Sequence, residues 1–332
     1  MPPGRRLNPP REKFSHHFGG LRNEAYLDPP PRGGIFPELK TIAWNPTGTL
    51  IATGASDKTL RVWNPEKHSV RYTTDLKGHT AAIVKVAFNP VKEAELCSVS
   101  IDGVVKFWDV KLRKATNNIT GLGEAVSMAW CPDGESVVVG SKDNTLHILS
   151  PTNSIPLASH KQDMQTQHIA FCWSTKRIFV TTGEGKIRIL FYPGFEPAIH
   201  IPYDSQKEFM LNGHTSTCTA VELQPTGRYL ATGGADSIIA LWDTADWICQ
   251  RTLPHLDGSV LGISFSFDGS YIVGSGDEKE GRKLEIIHTE TGDHIHTIQT
   301  SAPARIVAWH PLRNVLAYVE QNTLRIIGYD YR

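Results

Sequence analysis

The sequence lacks a net charge: 34 Lys and Arg are balanced by 34 Asp and Glu. A neutral chain exerts no overall pull on nucleic acid or an anionic membrane, although a local basic patch stays open to it. Cysteines are few and odd in number (Cys97, Cys131, Cys172, Cys218, Cys249), and no two form a C-x-x-C pair. That usage excludes a disulfide framework and reads as reduced, mostly buried thiols of the cytosol or nucleus. No apolar run approaches the ~18 residues that span a bilayer. Met1-Pro2-Pro3-Gly4-Arg5-Arg6 leads into no apolar core, so it does not read as a secretory signal. Helical periodicity of any length is missing. So are the G-x-S-x-G turn that exposes a nucleophile and the G-x-x-x-x-G-K-[ST] frame that cradles phosphate. Gly183-Glu184-Gly185-Lys186 resembles the latter only loosely and reads as a strand-to-strand turn.

What the chain does have is a repeat. Asp and Trp recur six residues apart, as Asp57 with Trp63, Asp102 with Trp108 and Asp236 with Trp242. Each Trp ends an apolar run, such as Val104-Val105-Lys106-Phe107-Trp108 or Ile238-Ile239-Ala240-Leu241-Trp242. Two units open with Gly-His, at Gly78-His79 and Gly213-His214. A period of roughly 42–50 residues with Gly-His at one end and Trp-Asp at the other marks the blades of a β-propeller. A length of 332 residues alone suggests two domains, but a propeller grows by adding blades round one axis. The apolar fraction of 40% and charged fraction of 20% are those of an ordinary soluble globular chain.

Each unit begins with a strand ending in a bulky apolar residue, followed by a turn. These are Trp44-Asn45-Pro46, Phe88-Asn89-Pro90, Trp130-Cys131-Pro132, Cys172-Trp173-Ser174, Leu223-Gln224-Pro225, Phe265-Ser266-Phe267 and Trp309-His310-Pro311. They predict about seven blades. A β-branched second strand follows, as in Val137-Val138-Val139, fit for burial on both faces. In the third strand the Trp position weakens to Leu149, to Leu190 or Phe191, and to Ile287. The last unit runs out of sequence after its third strand, so Arg22 to Leu27 is expected to supply its fourth and seal an all-β, seven-bladed ring. Residues 1–15 read as a flexible tail and 16–332 as a single propeller.

The repeated polar residues read as structural. A buried Trp N–H needs an acceptor, and Ser or Thr, His and Asp complete a relay. Two full sets are expected: His79, Ser98, Asp102 and Trp108; and His214, Thr232, Asp236 and Trp242. A third, Thr53, Asp57 and Trp63, lacks its histidine. Ser, His and Asp also suggest a catalytic triad, but this set repeats at blade spacing whereas an active site occurs once. The hairpin histidines His288, His294 and His296 could hold a metal only if Asp293 or Glu290 helped, so they read as exposed hairpin residues. The basic residues Arg5, Arg6, Arg11 and Lys13 read as a solvated tail in preference to an RNA contact.

Two stretches break the repeat. The turn Asp277-Glu278-Lys279-Glu280-Gly281-Arg282-Lys283 and the connection Pro202 to Leu211 are both lengthened. Both are expected on the disc face that carries the turn aspartates, on adjacent blades, beside the Pro-rich Asp28 to Gly34. Loops on a rigid scaffold commonly carry recognition. A partner is therefore expected there, with Tyr203, Phe209 and Met210 as apolar anchors and Asp204, Lys207, Glu278, Lys279 and Arg282 around them.

Several less generic stretches resemble one family, subunit 3 of the THO complex, the propeller subunit of the TREX mRNA-export machinery. They are Gly123 to Gly134 continuing to Asp143, Ile189-Leu190-Phe191-Tyr192-Pro193, Ala231 to Asp243, Ile263 to Gly269, Glu290-Thr291-Gly292-Asp293 and Val307 to Pro311. The likeness covers roughly residues 22–329. The two insertions, the Pro-rich N-terminus and the missing Gly-His of the first blade depart from it and suggest a divergent, fungal version. The resemblance implies a nuclear, non-enzymatic scaffold without cofactor or catalytic residues. It implies seating on the large helical THO subunit, a DEAD-box ATPase reached indirectly, mRNA contact only through the complex, and no membrane. A peptide or histone-tail reader in a chromatin complex is the alternative. Such a reader needs an acidic or aromatic ring at a channel mouth, and Asp57, Asp102, Asp143 and Asp236 are already claimed by the relay or its remnant.

Overall fold

The structure is a computed structural model, described here over residues 11–26, 36–66, 74–201, 204–278 and 282–329. Seven four-stranded antiparallel sheets form a closed ring. In each blade a first strand faces the axis and three further strands follow outward, in chain order in blades 1 to 6. Blade 5 shows the pattern: Cys218–Leu223, Tyr229–Gly234, Ile239–Asp243 and Cys249–Leu253. The first strands of successive blades pack on one another around the axis.

Alternation of size and branching explains the packing. Second strands such as Val137–Ser141 and Tyr229–Gly234 are buried at every residue, because each blade covers its neighbour on both faces. Fourth strands such as Lys114–Ile119 are largely exposed and polar. The Trp position pairs with the second strand identically in each blade: Trp63 with Ile51, Trp108 with Leu96, Trp242 with Leu230. Leu149, Leu190 and Ile287 occupy it in blades 3, 4 and 6. Between Leu190 and Phe191 the register decides for Leu190; Phe191 is exposed.

Blade 7 is built from both ends of the chain. Val307–Trp309, Leu316–Glu320 and Thr323–Ile327 are joined by Asn23–Tyr26, whose residues Asn23 to Tyr26 pair antiparallel with Ile327 to Leu324. The expected seal therefore forms at Asn23–Tyr26.

The N-terminal segment differs from expectation. The sequence predicts a tail over residues 1–15 and no helix, yet Arg11–Gly19 is α-helical. Phe14 and Phe18, four residues apart, lie on one helical face and are buried among Tyr271, Ile298, Trp309 and Tyr318 of blades 6 and 7. A nine-residue helix is marginal alone; burial of two aromatic rings, about 2–3 kcal/mol each, stabilises it in place. No helix among the described residues is long and apolar enough to cross a membrane.

Candidate interaction surfaces

Antiparallel pairing divides the disc into two faces. The second-to-third strand turns and the blade-to-blade connections lie on one, called here the aspartate face. The first-to-second and third-to-fourth turns lie on the other, the proline face.

On the aspartate face the relay is complete in blade 5 alone. The Trp242 N–H donates to Thr232 Oγ1 at 3.0 Å. His214 Nε2 lies 2.8 Å from the same hydroxyl, and His214 Nδ1 lies 3.1 Å from Asp236 Oδ1. Burial raises the Asp236 pKa, but the Thr215 N–H and His214 more than offset it and leave the carboxyl below its usual range. Gly213 is required by close approach: a Cβ there would sit 2.4 Å from the Trp242 ring.

Blade 2 corrects the expectation of a second full set. Trp108 Nε1 and His79 Nε2 both meet Ser98 Oγ, at 2.8 and 2.7 Å. Asp102, however, accepts from Thr80 Oγ1 at 2.9 Å and from Ser100, leaving His79 Nδ1 buried without a partner. Ser100 and Thr80 outcompete the imidazole for the carboxylate. In blade 1, Trp63 donates to Thr53 Oγ1 at 3.1 Å, while Asp57 turns outward to Arg61 at 2.6 Å.

The expected partner surface is rearranged. Residues 197–201 and 204–212 do not form a loop on the aspartate face. Ala198 pairs with Ile189 of the third strand of blade 4, the chain leaves as the hairpin His200–Ile201 with Asp204–Glu208, and Met210–Asn212 resumes the fourth strand. The insertion thus interrupts the outermost strand and projects from the rim of blade 4, two blades from the turn in blade 6. Phe209 packs into the core between blades 4 and 5, Met210 is half-buried in that strand, and Lys207 is exposed. Asp204 opens the returning strand of the hairpin. Glu278 is buried, accepting from the Asp257 N–H at 3.0 Å, and burial holds its pKa up. Arg282 donates to Ser301 O at 2.9 Å. Tyr203, Lys279 and the whole stretch Asp28 to Gly34 lie outside the described residues.

The hairpin histidines do not converge. His294 pairs with Glu285 at 2.7 Å, His296 meets Ser15 Oγ of the N-terminal helix at 3.1 Å, and His288 turns to Thr291 at 3.0 Å. Asp293 is bound to Arg11, and Glu290 to Arg228 at 2.9 Å. His296 is thus covered by the helix and not an exposed hairpin residue. Among the described residues no group of three or more His, Cys, Asp and Glu could hold a metal.

On the proline face the central channel opens through an apolar funnel of about 540 Å³, lined by residues of blades 2 to 7. Aromatic side chains end the first strands at Trp44, Phe88, Trp130, Phe171, Phe265 and Trp309. Three indoles are fixed by neighbouring blades: Trp44 to Ala308 O at 3.1 Å, Trp130 to Ala87 O at 3.0 Å, Trp173 to Gln224 O at 2.8 Å. Glu222 reaches into this funnel. Burial pushes its carboxyl up to about 7, against the Phe265 N–H, Ser264 and Lys85. Deeper along the first strands lie Lys85, lowered by burial, and His168, lowered to about 3 by burial and by Lys85.

A repeat pattern described as WD domain, G-beta repeat matches residues 37–64, 70–109, 116–150, 205–243 and 247–279. THO complex subunit 3 of Arabidopsis thaliana is 33% identical over 305 residues, which span 88% of this chain and 93% of that protein. The chain belongs to the THO complex subunit 3 family of WD-repeat proteins. Two more distant likenesses share the repeat: WD repeat-containing protein AAC3 of Dictyostelium discoideum is 31% identical across 87% of this chain and 64% of that protein, and Nuclear distribution protein PAC1 of Arthroderma otae is 24% identical across 73% and 57%.

In this THO complex subunit 3 family member the unmatched residues 151–204 cover most of blade 4, where Leu190-Phe191 replaces Trp-Asp and the fourth strand is interrupted. Its two faces differ in character. Among the described exposed large apolar residues, Val91, Leu112, Ile155, Leu157, Trp173, Phe191, Ile248 and Leu312 stand on turns of the proline face or at the strand end beside them, whereas Ile101 alone stands on an aspartate-face turn. Sequence reasoning selected the aspartate face because lengthened loops are visible in a single chain. The signal for the other face was the identity of single residues at equivalent strand ends.

Proposed function

We propose that this chain is a non-enzymatic, nuclear scaffold subunit of a THO-type complex, supporting mRNP assembly during transcription and mRNA export. One observation carries the reading: similarity to THO complex subunit 3 runs across 93% of that protein. The large helical THO subunit is the expected direct partner. A DEAD-box ATPase is reached through the complex and supplies its own chemistry, and mRNA is contacted through the same assembly. The site geometry is consistent with this role. In blade 5, Thr232, His214 and Asp236 are spent on one another and on the Trp242 N–H, and a rigid propeller offers surface before it offers chemistry.

Affinity purification of the full chain from nuclear extract, read by mass spectrometry, is the test. Recovery of large helical THO subunits is the expected outcome. Recovery of histones or chromatin modifiers in their place overturns the reading in favour of a tail reader.

A further inference from the structure

In a propeller the blades are seven solutions to one packing problem. A residue that departs from its equivalents is therefore one that the fold did not ask for. Register makes the equivalences explicit at the proline-face mouth. The residue before the terminal aromatic position is Ala43, Ala87, Ala129, Ala170 and Ala308 in five blades, Ser264 in blade 6 and Glu222 in blade 5. Three positions further on, the turn carries Pro46, Pro90, Pro132, Pro225 and Pro311, but Trp173 in blade 4 and Phe267 in blade 6. All four departures fall on blades 4, 5 and 6 and line the same funnel.

Their chemistry is complementary. Glu222 Oε1 accepts from the Phe265 N–H at 2.9 Å and lies 3.3 Å from Ser264 Oγ. That bridge ties blade 5 to blade 6, but it does not need a charge: Ser264 makes the corresponding bridge to the Trp309 N–H with a hydroxyl, at 3.1 Å. Oε2 takes no hydrogen bond among the described residues. Trp173 is 52% exposed, and its indole is held by Gln224 O, so its position is fixed before anything binds. Phe267 is half-buried on the other side of blade 5. Aromatic faces beside a carboxylate are the surroundings that suit a cation on an apolar stem.

We propose that the proline-face mouth is a recognition pocket for a lysine or arginine side chain of a protein partner, with Glu222 as counter-ion and Trp173 and Phe267 as walls. The stem packs on the rings and the charged head reaches the open carboxylate oxygen. Lys85, two residues deeper on blade 2, marks the floor, so a cation entering from this face meets the carboxylate first. His168 on blade 4 stays neutral and adds no repulsion. His310, also at the mouth, is engaged with Gly48 O at 3.0 Å. The exposed Phe191, Ile248 and Leu312 around the rim would seat apolar residues flanking the cation. The pocket belongs to the isolated chain and does not depend on which complex the chain joins.

The purified full chain is overlaid on a heptapeptide array with central Lys, Arg, norleucine or Glu in matched flanks, and hits are titrated in solution by fluorescence anisotropy. Lys or Arg peptides are expected to bind at least ~10-fold more tightly than their norleucine counterparts. Glu222→Gln retains the carbonyl acceptor for Phe265 and should keep the fold, yet weaken binding by ~10-fold or more. Trp173→Ala, at an exposed turn, should do the same, while the exposed Asp204→Asn on the distant rim should change nothing. A single-stranded RNA decamer, whose bases also stack on aromatic rings, should not compete, because the carboxylate repels its phosphates. Equal binding of norleucine peptides, unchanged binding by Glu222→Gln, competition by the RNA, or no binding in the Lys and Arg sets each overturns the proposal.

Discussion

The Asn23 amide donates to the Tyr318 hydroxyl at 2.7 Å, joining residues 295 positions apart in the chain. Asn23 belongs to the strand that completes blade 7, and Tyr318 to the second strand of the same blade. The bond fixes the register of the closing strand where backbone pairing alone would allow a slip. It also places the preceding helix over the groove between blades 6 and 7, where Phe14 stacks on Tyr271 at 3.9 Å and Phe18 meets Trp309 edge-on at 5.6 Å.

Phe14→Ala and Phe18→Ala are each expected to lower stability by about 3 kcal/mol. The two losses should not add. Once the helix detaches, the second ring has nothing left to lose. Urea denaturation should therefore give the double variant the same stability as a chain lacking residues 1–21, which keeps the closing strand.

The relays of blades 2 and 5 should respond differently to loss of the carboxylate. Asp236→Ala strands His214 Nδ1 and the Thr215 N–H, and should cost about 2–3 kcal/mol. Asp102→Ala frees the exposed Thr80 hydroxyl and leaves the buried Ser100 hydroxyl its second acceptor, Val104 O, and should cost about 1 kcal/mol or less. Equal losses in thermal or chemical denaturation would mean that His79 and Asp102 are joined in solution.

Acid should destabilise the protein through its buried imidazoles, His79 and His310 among them. His79 is held down at about 4 by burial and Lys106, and His310 at about 4 by burial and Arg313. His310 Nδ1 accepts from the Leu312 N–H at 3.0 Å, so a proton there breaks that bond. Below about 6.5 the unfolded chain binds protons that the folded chain refuses. Stability is then fully present above that pH and is lost as pH falls toward 4, by on the order of 3 kcal/mol per imidazole. His310→Gln should flatten the fall in Tm between pH 7 and pH 4.

Glu222 should act in the opposite direction. Its folded pKa of about 7 lies above the ordinary carboxyl value, so the folded state binds the proton more tightly. The group therefore costs stability as pH rises through that range, by on the order of 1–3 kcal/mol, with the Lys85 charge offsetting part of it. Glu222→Gln should match the parent near pH 5 and exceed it near pH 8.5 in chemical denaturation.

The blade count, the closing strand and the WD-repeat family are legible in the sequence because each rests on a local pattern. Trp63, Trp108 and Trp242 announce third strands, and turns such as Asn45-Pro46-Thr47-Gly48 announce strand ends. The helix was missed because Phe14 and Phe18 alone, in a polar segment, give too weak a period. Lengthened segments suggest an anchor at Phe209 and a rim charge at Glu278, but length says nothing about which way a side chain turns. The mouth was in principle readable, had Ala43, Ala87, Ala129, Ala170, Glu222, Ser264 and Ala308 been set side by side.

By itself the chain determined its architecture. Strand periodicity and turn chemistry act between neighbours, and they recur often enough to outweigh any one degenerate blade. Only the tertiary structure decided that Asp102 abandons His79 for Ser100 and Thr80, that the insertion of blade 4 leaves from the rim, and that Glu222, Trp173 and Phe267 share one opening. Those outcomes depend on competition and distance among residues far apart in sequence, which are settled only when the ring closes.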